Sequence, residues 1–152
     1  MKNKTDPVIE TTLKELKNFP PLLLEQFERV VEHMPESLSD QQFEIWAKTG
    51  IEIAGQTVRS WESAIQFYRV SPSVLNYIPF NYFQKWAKAG VSLAEKSPTL
   101  ATSYFESSPA TISKLRSRHL ESWATLGGSL YRGTWKSSTL ASKFSGLECL
   151  QR

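Results

Sequence analysis

The sequence predicts an all-α, solenoid-like helical repeat of about three 37–40-residue units behind an N-terminal helical cap. The first observation behind this is a motif, apolar-x-x-Trp-Ala-x-x-Gly-x-x-aliphatic. It occurs at Phe43…Trp46-Ala47…Gly50…Ile53, at Phe83…Trp86-Ala87…Gly90…Leu93 and at Leu120…Trp123-Ala124…Gly127…Leu130. The tryptophans stand 40 and 37 residues apart, a period typical of stacked structural repeats. The second observation is the spacing i, i+3, i+4, i+7, i+10, which lines one face of a helix and does not fit the two-residue period of a strand. The third is a shared set downstream: Ala64 and Phe67, Ala101 and Tyr104, Ala141 and Phe144, each three residues apart. Each unit therefore contains a helix A and a helix B.

Residues 1–38 form the expected cap. Asp6-Pro7 reads as an N-cap with proline at the first helical position, and Ile9, Leu13 and Leu16 make a short amphipathic helix. Pro20-Pro21 breaks it, because proline lacks a donor and restricts the residue before it. Leu22, Leu23, Leu24, Phe27, Val30, Val31 and Met34 then predict a strongly apolar helix ending before Pro35, a degenerate half-repeat in character.

The first full unit spans 39–78 and opens at Ser39, with Gln42 three residues on as in a capping box. Gly50, Gly90 and Gly127 follow their tryptophans by one turn. A glycine inside a helix costs about 1 kcal/mol against alanine, so the expected offset is close approach by a neighbouring helix. The alternative, a helix ending there with Gly as C-cap, is disfavoured because Ile53, Leu93 and Leu130 keep the period beyond it. The second unit, 79–115, is three residues shorter between its Gly and the Ala of helix B, a change that connections absorb cheaply. Ser71-Pro72 and Ser108-Pro109 predict the end of helix B and the start of a short helix C carrying Leu75 and Ile78, or Ile112 and Leu115. Ser97-Pro98 predicts the start of helix B in the middle unit. The third unit, 116–152, stops mid-period without a helix C. Either Leu147, Cys149 and Leu150 fold back over its end, or the chain continues into a longer protein.

Length allows one domain with a real core. A single Cys149 excludes an intramolecular disulfide and supplies no zinc-ligand set. No apolar run approaches the ~18–20 residues that span a bilayer, and Met1-Lys2-Asn3-Lys4 is not followed by the apolar stretch of a signal peptide. A cytoplasmic protein is expected. His33 and His119 stand in no ligand pattern, the glycines form no phosphate loop, and no Gly-x-Ser-x-Gly elbow occurs. The expectation is no enzyme, no catalytic residue, no metal and no cofactor.

Charge is uneven. Residues 110–152 carry Lys114, Arg116, Arg118, Arg132, Lys136, Lys143 and Arg152 against Glu121 and Glu148, while the first 109 residues are slightly acidic. Lys114, Arg116, Arg118 and Arg132 are thus candidate partner-binding residues, toward nucleic-acid phosphate in one reading and as a solvated junction in the plainer one. Leu147 and Leu150 are apolar where a terminal repeat needs a polar face, so they are candidates for self-association or partner contact. Trp46, Trp86 and Trp123 are expected in the core, with Gly50, Gly90 and Gly127 at helix contacts.

The pattern Trp-Ala-x-x-Gly-x-x-Leu-Ala…Ala-x-x-Tyr-Phe-x-x-Ser-Pro-x-x-Ile, read from Trp86 to Ile112, resembles the helical repeats in the N-terminal part of the nitric-oxide-reductase activation family. Those proteins carry a von Willebrand factor A domain and work with a MoxR-type AAA+ ATPase. The resemblance covers roughly residues 40–145. The chain has no Asp-x-Ser-x-Ser metal motif, so the metal-binding part of the family does not carry over. What the resemblance implies is a protein-interaction or adaptor module linked to an AAA+ ATPase system; the alternative expectation is a nucleic-acid-binding repeat using the basic C-terminal third. Tetratricopeptide repeats share the Trp and the Gly four residues later, but their period of about 34 and later columns differ.

Overall fold

The computed structural model describes residues 7–113 as six α-helices with no strand among them. They are α1 (Pro7–Leu16), α2 (Pro21–Val31), α3 (Asp40–Ala54), α4 (Ser60–Leu75), α5 (Phe80–Lys96) and α6 (Pro98–Ile112). The odd-numbered helices lie side by side, α1 on α3 and α3 on α5, and the even-numbered ones do the same, α2 on α4 and α4 on α6. The two layers are joined within the pairs α1–α2, α3–α4 and α5–α6, and again where α4 meets α5.

The residues at the helix starts explain where several elements begin. Ser39 Oγ accepts from Gln42 N–H at 3.0 Å while Ser39 N–H donates to Gln42 Oε1 at 3.0 Å, a reciprocal capping box. Ser97 Oγ accepts from Leu100 N–H at 3.3 Å, with Pro98 at the first position of α6 where no donor is needed. The three-residue difference between the units falls in the connections and the end of α5. Residues 55–59 join α3 to α4, whereas Ser97 alone joins α5 to α6, and α5 has 17 residues to the 15 of α3.

Two expectations are corrected. Ser71-Pro72 and Ser108-Pro109 do not start a separate helix, because α4 runs through Pro72 to Leu75 and α6 runs through Pro109 to Ile112. Both serine side chains turn back: Ser71 Oγ–H donates to the Phe67 carbonyl and Ser108 Oγ–H to the Tyr104 carbonyl. Each proline lies within the last turn or so, and Val74, Thr111 and Ile112 beyond it are buried, so packing holds the helix past the missing donor. The second correction concerns Leu22, which is 59% exposed rather than part of the apolar face of α2.

The core is aromatic and continuous. Phe27 of α2 stacks on Trp46 of α3 (centroids 5.4 Å), and Tyr68 of α4 meets both edge-on (5.1 and 5.2 Å). Phe67, the residue before it on α4, reaches the other way to Phe83 and Trp86 of α5 and Phe105 of α6 (5.9, 5.8 and 5.4 Å). Neighbouring aromatics on one helix thus join consecutive pairs. Such contacts add about 0.5–1.5 kcal/mol each beyond area burial.

Candidate interaction surfaces

The pairs α3–α4 and α5–α6 are built on the same contact. Gly50 lies under the ring of Tyr68 and Gly90 under the ring of Phe105, and a β-carbon at either glycine would overlap that ring. Trp46 and Trp86 are fully buried beside them. A tyrosine hydroxyl ties the helices together in both: Tyr68 Oη–H donates to the Ala47 carbonyl at 2.6 Å, and Tyr104 Oη–H to the Trp86 carbonyl at 3.0 Å. Burial, aided by the Glu15 carboxylate, pushes the Tyr68 phenol well above its ordinary pKa, so the hydroxyl stays protonated and donating.

The pairs differ at the indoles. Trp86 Nε1–H donates to Ser108 Oγ at 2.9 Å. Trp46 Nε1–H is buried without a hydrogen-bond partner, while Ser71, at the equivalent place in α4, bonds only the Phe67 carbonyl. Between pairs, the first turn of α4 is anchored by hydroxyls: Ser60 Oγ–H donates to the Ala94 carbonyl at 3.4 Å, and Ser63 Oγ–H to the Pro98 carbonyl at 2.9 Å.

These arrangements use the polar side chains of the interior for packing. Among the described residues no three His, Cys, Asp or Glu side chains are grouped to hold a metal ion, and no helix is long and apolar enough to cross a membrane. Shallow grooves among the described residues include two on the outside. One, of about 230 Å³, lies between the starts of α4 and α6 beside Arg59, Glu62, Thr99 and Ser103; its Arg59–Glu62 pair, at 3.4 Å, is solvent-exposed. The other, of about 240 Å³, lies between α1 and α3 beside Thr11, Glu15, Glu44 and Lys48, where Lys48 and Glu44 pair at 3.4 Å. Exposed pairs of this kind contribute about 0–1 kcal/mol.

Of the residues singled out from sequence, Trp46, Gly50, Trp86 and Gly90 sit in the packed interior. Lys114, Arg116, Arg118, Arg132, Leu147 and Leu150, with Trp123 and Gly127, lie outside the described residues. His33 is exposed just beyond the end of α2. Sequence reasoning did not single out the outer face of α2, where Leu22, Glu25, Glu28 and Glu32 point to solvent; the signal available was the i, i+3, i+7 spacing of the three glutamates. Comparison with known protein families, with curated proteins and with solved structures finds no match.

Proposed function

We propose that this chain is a non-enzymatic protein-interaction module, an adaptor built as a solenoid-like helical repeat of about three units preceded by a helical cap. The observation that carries this reading is the recurrence of one contact set in α3–α4 and α5–α6: a glycine under an aromatic ring, a buried tryptophan beside it, and a tyrosine hydroxyl on a helix-A carbonyl. Residues 116–152 continue the same columns in sequence with Trp123, Gly127, Ala141 and Phe144. A stack of this kind spends its interior on holding neighbours together and offers long helical flanks to other macromolecules. The resemblance to the nitric-oxide-reductase activation repeats supplies the partner class, a protein of an AAA+ ATPase system, with Leu147 and Leu150 at the open end. A single cysteine suits a cytoplasmic location.

The rival reading is a nucleic-acid-binding repeat using Lys114, Arg116, Arg118 and Arg132. The two separate in one experiment, titration of the chain with a MoxR-type ATPase and with duplex and single-stranded nucleic acid across a salt series. Saturable binding to the ATPase that changes little with salt is expected. Nucleic-acid affinity falling by about one log-log unit per phosphate contacted, with no ATPase binding, overturns the adaptor reading.

A further inference from the structure

We draw no further inference here: the strongest candidate, the shallow groove between the starts of α4 and α6 beside Arg59, Glu62, Thr99 and Ser103, carries nothing, because nothing in the structure shows what covers it.

Discussion

The ring of Tyr68 occupies the space that a side chain at Gly50 would need, and its hydroxyl donates to the Ala47 carbonyl one turn earlier on the same helix. One residue of α4 thus sets both the distance and the register of the α3–α4 pair. Removing the hydroxyl alone separates the two roles. Tyr68→Phe keeps the ring over Gly50 and loses the hydrogen bond, for an expected cost of about 0.5–1.5 kcal/mol at neutral pH. Urea denaturation of the two proteins measures it.

Tyr68 also predicts the alkaline behaviour. Its folded-state pKa lies well above the usual value because burial disfavours the phenolate. The folded state therefore holds this proton more tightly than the unfolded state. The stabilisation is fully present below the unfolded tyrosine pKa of about 10 and is lost as pH rises from there toward the folded pKa. Tyr68→Phe should flatten the loss of stability above that pH. An alkaline limb of the same slope in both proteins would assign the effect to other groups.

Gly90→Ala should destabilise by about 1–3 kcal/mol through overpacking, because the added methyl group meets the Phe105 ring. The compensating test is Gly90→Ala with Phe105→Leu, which makes room for the methyl group. The double variant should be more stable than the sum of the single effects, a coupling that thermal melts of all four proteins can read.

The two tryptophans predict an asymmetry. Trp86→Phe loses packing and the bond from Nε1–H to Ser108. Trp46→Phe loses packing but also removes a buried donor that has no partner. Trp46→Phe should therefore be the milder change, by about 1–2 kcal/mol. Equal costs, or a larger cost at Trp46, would show that indole volume rather than hydrogen bonding dominates.

Ser71 and Ser108 precede prolines, yet both are fully buried and hydrogen-bonded to carbonyls of their own helices. A proline-directed kinase should modify neither in the folded chain and both after unfolding. Mass spectrometry of native and urea-treated samples checks this.

Much of helix A was legible in the sequence because its signal is local and large. Phe43, Trp46, Ala47, Gly50 and Ile53 are all buried in α3, and Phe83, Trp86, Ala87, Gly90 and Leu93 in α5. The helix ends were less legible, since the same dipeptide has opposite outcomes. Ser97-Pro98 starts α6, while Ser71-Pro72 and Ser108-Pro109 lie inside helices. The difference comes from burial of the residues beyond the proline, which no local pattern contains. The place of α1 in the layer of odd-numbered helices was hidden for a related reason. Ile9, Thr12 and Leu16 line its inner face with neither the tryptophan nor the glycine that marks α3 and α5. The basic run Lys114, Arg116 and Arg118 was legible as charge alone, which names no partner, and the outer face of α2 was marked only by the spacing of Glu25, Glu28 and Glu32.

The layered order of the helices bears on how fast the chain folds. Each helix packs on its sequence neighbour or on the next but one, so native contacts close short loops. Chains with such low contact order reach the native state in about microseconds to milliseconds. The aromatic bridge through Phe67 and Tyr68 is the point at which folding of one pair would template the next.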